Sequence, residues 1–480
     1  MKEIGFKFDN SFLSLPEGFY TRLDPVPVKS PEMVLLNHEL ARSMGLDFSD
    51  VSPKEQAALF AGNKIAKGAE PFAQAYAGHQ FGNFTMLGDG RAHVWGEHIK
   101  PDGSRVDIQY KGSGQTPYSR RGDGRAALAP MLREYIISEA MHALNIPTTR
   151  SLAVIKTGED VMREIPLPGA ILTRVASSHI RVGTFEFAAA QGDQEIVELL
   201  LDYTIKRHEL DLDDAQNKAL AFLDHVMEAQ ADLITHWMRV GFIHGVMNTD
   251  NMSLSNETID YGPCAFMDAY EPNTVFSSID HMGRYAYSNQ PIIAQWNISR
   301  LAEAILPLID KDIGKAIEKA EKAVNKFPAL FKTKWLNMMR AKIGLFAEEE
   351  GDEKLISDLL NLMQRSHADY TNSFNALTHL DTPIDTKEFS DWKKRWQARL
   401  DQNDKAIELS QDLMRSFNPI VIPRNHLVEE ALEAATEGDM KPLLRLLEVI
   451  KKPYEESDYE ALYRSPPEPS ERVYQTFCGT

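Results

Sequence analysis

The strand-forming segments of this 480-residue chain fall early, and its long helical segments fall late. Arg91-Ala-His-Val-Trp-Gly-Glu-His-Ile99 has strand character, Pro101-Asp102-Gly103 reads as a turn, and Val106-Asp-Ile-Gln-Tyr-Lys111 alternates with period two. Further strands are expected at about 150–156 and 170–175. From about 299 to 450 the pattern is mostly helical. The order is a small β-rich part followed by a large helical one, an α+β arrangement. At roughly 150 residues per domain, the length allows about three folding units, or one large two-lobed domain with extensions.

The intervening segments sharpen this outline. A helix is expected from Pro130 to Leu144, with Leu132, Tyr135, Ile136 and Ala140 on one face and Asn145-Ile-Pro147 as its stop. Two long helices follow at about 194–210 and 214–240, the second closed by Gly241. A short β-turn region, about 242–262, comes next. Residues 1–84 are loop-rich, except for a helix expected from Pro31 to Met44 with Gly45 just beyond it. Glu348-Glu-Glu-Gly-Asp-Glu353 reads as an acidic, solvated turn, and the proline-rich Ser465–Ser470 as a strap or a loose end.

Charge limits the partners. Lys and Arg number 52 against 70 Asp and Glu, a net charge of −18, so nucleic acid and anionic membrane surfaces are disfavoured. A local basic pocket for a small anion remains open. Two cysteines, Cys264 and Cys478, cannot build a disulfide framework or a Cys-rich zinc site. The opening MKEIGFKFDN has no apolar h-region, and Pro71–Gly88 holds Gln74, His79, Gln80 and Asn83, a poor membrane span. The expectation is a cytoplasmic protein.

Four constellations carry chemistry. Leu87-Gly88-Asp89-Gly90-Arg91 precedes a hairpin whose second strand ends in Lys111, a pattern that lets backbone N–H groups and an ammonium approach phosphates. A tight turn and a surface lysine would look the same. Glu134, in the following helix, could pair with Lys111 as kinases pair a strand lysine with a helix glutamate, or could be an ordinary, partly exposed helix residue. Arg174 and Arg181 near a strand end could clamp a terminal phosphate or serve as surface ion-pair partners. The strongest is Gly241-Phe-Ile-His244-Gly-Val-Met-Asn-Thr-Asp250-Asn251, followed across an expected hairpin by Ile259-Asp260-Tyr261-Gly262. An acid, an amide and then Asp-aromatic-Gly offer oxygen ligands for a divalent cation on nucleotide phosphates, in the order that protein kinases use. Val246 occupies the position of the kinase's catalytic aspartate. An Asx-rich turn beside a core histidine is the bland alternative.

These strings resemble the selenoprotein O (SelO/YdiU) family. The matching segments are Gly78-His-Gln-Phe-Gly82, Leu87–Arg91, Lys111-Gly-Ser-Gly-Gln-Thr-Pro-Tyr-Ser119, Gly122-Asp-Gly-Arg-Ala126, His244–Ser253 and Ile259–Pro263, and the similarity spans nearly the whole chain. The resemblance implies a protein-kinase-like two-lobed fold that binds ATP in an inverted orientation and transfers AMP, or UMP from UTP, to Ser, Thr or Tyr hydroxyls of proteins, itself included. Its division would be an extension at 1–84, an N-lobe at 85–190, a helical C-lobe at 191–464 and a tail at 465–480. It further implies that Lys111, Arg174 and Arg181 hold the outer phosphates, with Glu134 orienting Lys111. Gly88, Gly90, Arg91, Asp123 and Gly124 would line the nucleotide site. Asn251 and Asp260 would ligate Mg²⁺ or Mn²⁺, and Asp250 would accept the proton. Cys478 stands where family members carry selenocysteine, which raises a pairing with Cys264. A conventional phosphotransferase and a non-catalytic ATP-binding scaffold are the rival readings.

Overall fold

The computed structural model describes residues 4–403, 405–456 and 460–477. Among them, seven strands form one antiparallel sheet in the order Tyr20–Arg22, Phe72–Gln74, Ala92–Ile99, Arg105–Lys111, Pro166–Ala176, Arg150–Met162, Glu32–Leu36. Ala126–Ala127 adds an eighth against Pro166–Ala176. The hairpin read from the sequence is present, with Lys111 opposite Ala92 on one side and Leu172 on the other. Lys111 therefore stands near the middle of the sheet.

The helix expected over Pro31–Met44 is instead a strand, Glu32–Leu36, and a shorter helix, His38–Ser43. The apolar run Met33-Val-Leu-Leu36 finds a better partner in the edge of Arg150–Met162 than it would on a helix face. Asn37 then starts the helix by accepting a hydrogen bond from the Leu40 N–H at 3.1 Å.

One sheet face packs Trp95, Ile108, Tyr110 and Ile155 against Phe60. The other packs Val94, Val154 and Leu172 against the helix Leu128–Ala143, where Leu132, Tyr135, Ile136 and Ala140 are all buried. This second core continues without a break into the helical part, through Trp237 and on to Trp396. Each such aliphatic or aromatic side chain contributes about 1.5–3 kcal/mol through burial. The long helix Lys218–Arg239 packs on Gln290–Ala304 and Phe327–Lys342, and Gly241 ends it at φ +74°, a left-handed turn.

Two local expectations are corrected. The acidic turn is not solvated throughout, because Asp352 is buried between Arg340 (3.1 Å) and Arg399 (2.8 Å) at the start of the helix Asp352–Arg365. Nor do residues 252–258 form a hairpin between Asn251 and Asp260. Ser253 bridges to Arg181 and Thr258 to Thr148, so each side of the segment is tied to the sheet-bearing part. The strand pair in this region lies outside it, Phe242–Ile243 against Ala265–Phe266.

Past the proline run, the Thr476 N–H donates to Phe276 O at 2.7 Å and its hydroxyl to Pro263 O at 2.6 Å. Cys264 is buried beside that contact, and Cys478 lies outside the described residues, as does the pairing considered for it. No helix among the described residues is long and apolar enough to cross a membrane.

Candidate active site

Gln109 and Lys111 are two residues apart on one strand and so point to one sheet face, and Arg174 pairs in register with Gln109 on the next strand. The helix Leu128–Ala143 lays Glu134 over this face. Glu134 is buried rather than partly exposed, accepting from Lys111 Nζ at 2.6 Å and from Arg174 Nε and Nη2 at 2.8 and 2.5 Å. One carboxylate thus fixes two cations. Burial alone would raise the Glu134 carboxyl, but Arg174 and then Lys111 outweigh it and hold it below its ordinary value.

Asp260 closes the network from the other side. Its Oδ1 accepts from Lys111 Nζ at 2.6 Å and Arg174 Nη2 at 2.5 Å, and Arg181 Nη1 reaches its Oδ2 at 3.4 Å. Burial opposes its ionisation, yet Arg174, Lys111 and Arg181 together hold the group well below the usual carboxylate range. Asp260 itself is left-handed at φ +63°, a conformation that Asp and Asn tolerate better than other side chains. The buried His244 sets this corner: its Nε2 donates to Ile259 O at 2.8 Å, and its Nδ1 accepts from the Val246 N–H at 3.4 Å.

Arg181 sits at the N-cap of the helix Val182–Ala190, its guanidinium 4.4 Å from the Tyr76 ring centroid. Its Nη1 also donates to the Asp250 carbonyl at 3.0 Å, and Asp89 lies 4.0 Å away. Asp250 is buried, and its Oδ1 has no hydrogen-bond partner among the described residues. Burial, with Arg181 opposing it and Asp260 and Glu186 adding to it, pushes the Asp250 carboxyl up to about 6. Asn251 donates its amide N–H to Val246 O at 2.9 Å, which leaves its side-chain carbonyl oxygen as the ligating atom.

The glycine loop forms the roof. Gly88 adopts φ +136°, and a Cβ there would meet the Tyr118 ring at 2.4 Å. Asp89 is buried, and the Gln74 N–H donates to it at 3.0 Å. Asp123 stands at the outer rim, paired with Arg163 at 2.8 Å, next to the left-handed Gly124. Gly90 and Arg91 follow on the same roof. The residues that the family resemblance assigns to nucleotide, metal and proton, Lys111 and Glu134 through Asp250, Asn251 and Asp260, line one cleft of about 710 Å³, whereas His244 and Cys264 lie outside its lining.

The sequence reading passed over a second layer beneath the loop that carries Asp250. The two-stranded hairpin Ala77–Gln80 and Asn83–Met86 grips that loop: the His79 N–H donates to Thr249 Oγ1 at 2.6 Å and the Phe81 N–H to Asn248 Oδ1 at 3.0 Å. Thr249 in turn donates to Glu186 at 2.6 Å, and Glu186 bonds the His79 ring. The string Gly78–Gly82 was the available signal for the hairpin. Glu186 had none.

The donor set suits a divalent ion shared with phosphate. Among the described residues, no three His, Cys, Asp or Glu side chains group as a cage for a metal ion by themselves. The Asn251 amide oxygen and the Asp260 carboxylate are hard ligands that leave coordination positions to phosphate oxygens.

Comparison with known proteins fits this arrangement. Residues 2–451 match the family model described as Protein adenylyltransferase SelO. Curated relatives named Protein nucleotidyltransferase YdiU include those of Nitrosococcus oceani, 60% identical over 100% of this chain and 98% of that protein, and Anoxybacillus flavithermus, 58% identical over 99% of each. That of Syntrophotalea carbinolica is 57% identical over 99% of this chain and 98% of its own. By these relationships the chain is of the protein nucleotidyltransferase class. It belongs to the protein adenylyltransferase SelO family.

Proposed function

We propose that this protein transfers AMP from ATP to side-chain hydroxyls of other proteins, on a protein-kinase-like two-lobed fold. Residues 85–190, which carry the central strands of the sheet, serve as the nucleotide-holding lobe, and 191–464 as the helical lobe. Residues 1–84 extend that first lobe and, rather than being chiefly loop, add the strands Tyr20–Arg22, Glu32–Leu36 and Phe72–Gln74 to its sheet, and 465–480 are a C-terminal extension.

The observation that carries this reading is a pair of positions on one loop. Val246, where a kinase holds its catalytic aspartate, is an apolar residue lining the cleft, and Asp250, four residues on, lines the same cleft with a carboxyl that burial raises to about 6. Asp250 takes the proton of the acceptor hydroxyl. The hydroxyl oxygen bonds to the α-phosphorus, the bond from that phosphorus to the β-phosphate bridge oxygen breaks, and pyrophosphate leaves with the electron pair.

Lys111, Arg174 and Arg181 face the outer phosphates and stabilise the charge that builds on the leaving group. Glu134 holds the first two in place before substrate arrives, which reduces the reorganisation needed at the reacting centre. Gly88, Gly90, Arg91, Asp123 and Gly124 shape the nucleotide pocket. Asn251 and Asp260 hold Mg²⁺ or Mn²⁺, which when bound neutralises phosphate charge. Intact-mass analysis after incubation with ATP and a candidate acceptor tests the reading. An added adenylyl mass supports it, and an added phosphate mass or none counts against it.

A further inference from the structure

The cleft is cationic in an acidic protein. Its lining holds eight Lys and Arg side chains against five Asp and Glu, in a chain of net charge −18. Most of that positive charge is already committed. Lys111 and Arg174 are neutralised by Glu134 and Asp260, Arg181 by Asp260 and Asp89, and Arg163 by Asp123. Arg125 donates to Val26 O and Pro27 O. The inner wall is therefore close to balanced before a ligand enters. It cannot by itself match the several negative charges of a triphosphate.

Arg120 and Arg121 differ from these. Both line the cleft, both are exposed, and neither makes a hydrogen bond or ion pair with another described residue. Their loop is built rather than loose. The Gly114 N–H donates to Gly124 O at 2.9 Å, Gln115 Nε2 to Gly122 O at 2.7 Å, and the Gly122 N–H to Ser119 O at 2.8 Å. Two further bonds staple it to the glycine loop, Thr116 Oγ1 to Asp89 O at 2.6 Å and Ser119 Oγ to Gly90 O. Arg120 then turns left-handed at φ +54°, an uncommon conformation for this side chain, at the point where the loop meets the cleft mouth.

We infer that Arg120 and Arg121 are phosphate-binding residues that clasp the outer phosphates of the nucleotide from the solvent side, opposite Lys111, Arg174 and Arg181. The inference rests on the nucleotide-transfer reading above. An arginine fork can take two phosphate oxygens at once, and two arginines without protein partners lose no ion pair on doing so. Because the loop is bonded to Gly90 and Asp89, ligand contact at its tip also fixes the roof over the nucleotide.

The test compares ligands that differ only in their outer phosphates. ATP and AMP are titrated calorimetrically, each with Mg²⁺, into the full-length protein and its Arg120→Ala/Arg121→Ala variant. The expected result is ATP binding weakened about tenfold or more, AMP binding changed less than twofold, and partial recovery of ATP binding in Arg120→Lys/Arg121→Lys. Inorganic tripolyphosphate should likewise lose potency as a competitor against the alanine variant. ATP binding unchanged within twofold, or ATP and AMP weakened equally, would overturn the inference. Failure of the underlying reading shows separately, in the wild type, as label reaching protein from the γ-phosphate alone. The ATP–AMP comparison still decides the role of the two arginines in that case.

Discussion

Gly78 and Asp250 touch: a Cβ on Gly78 would lie 2.4 Å from Asp250 Oδ1 and 2.8 Å from its carboxyl carbon. The space that lets this carboxylate adopt its buried position is the missing side chain of a glycine far away in sequence. Gly78→Ala therefore displaces Asp250 without altering its chemistry. The expected outcome is a kcat for transfer lowered by about 10–100-fold, with ATP affinity unchanged within a factor of two. Steady-state kinetics beside equilibrium binding checks it; an unchanged kcat would remove Asp250's position from the account.

Glu134 is the only carboxylate that accepts from both Lys111 and Arg174 besides Asp260 among the described hydrogen bonds, and it is the more buried of the two. Removing it as Glu134→Ala leaves two buried cations sharing Asp260. Such losses cost about 3–5 kcal/mol, and Glu134→Gln should cost less because it keeps an acceptor. Urea unfolding of both variants gives the measurement. Equal stabilities for wild type and Glu134→Ala would mean that the network carries no folding energy.

Asp260→Asn keeps a residue type that tolerates φ +63° and removes only the charge. ATP binding in this variant should lose its dependence on added Mg²⁺ or Mn²⁺, whereas the wild type should lose affinity when a chelator strips the ion. Melting temperature against metal concentration, with and without ATP, separates the two. A variant that responds to metal as the wild type does contradicts the assignment of Asp260 as a ligand.

Acid sensitivity should come in part from His93. Its Nδ1 bonds Ser113 Oγ at 2.6 Å, its Nε2 is buried without a partner among the described residues, and burial, assisted by Arg125, holds the imidazole down at about 4 against an ordinary 6.5. Between those values the unfolded chain binds a proton that the folded chain refuses. Stability is thus fully present above about pH 6.5 and lost as pH falls toward 4, by on the order of 2 kcal/mol at pH 5 from this residue. His93→Gln, which can still bond Ser113 but does not titrate, should flatten the melting profile over pH 5–7. A profile as steep as that of the wild type would assign the acid sensitivity elsewhere.

Much of this architecture is legible in the sequence where local chemistry decides. The hairpin ending in Lys111 announces itself by period-two alternation, the helix bearing Glu134 by its Leu132–Tyr135–Ile136 face, and Gly241 by its place after a long helix. What is not legible depends on partners far along the chain. Glu32–Leu36 is a strand because Lys156–Ala153 offers it an edge, and Asp352 is buried because Arg340 and Arg399 converge on it. In the same way, Glu134 alone looks like any helix glutamate, and only the sheet brings Lys111 and Arg174 to it. The His79–Glu186–Thr249 support of the Asp250 loop is a tertiary feature of the same kind, with partners 107 and 63 residues apart.

The most direct test of the central claim follows the phosphorus. Wild-type protein and an acceptor protein are incubated with ATP labelled at the α position and, in parallel, at the γ position. Transfer of AMP predicts label on protein from the α position only, released pyrophosphate in matching amount, and loss of both in Asp250→Ala while ATP still binds. Label on protein from the γ position and none from the α position would contradict it.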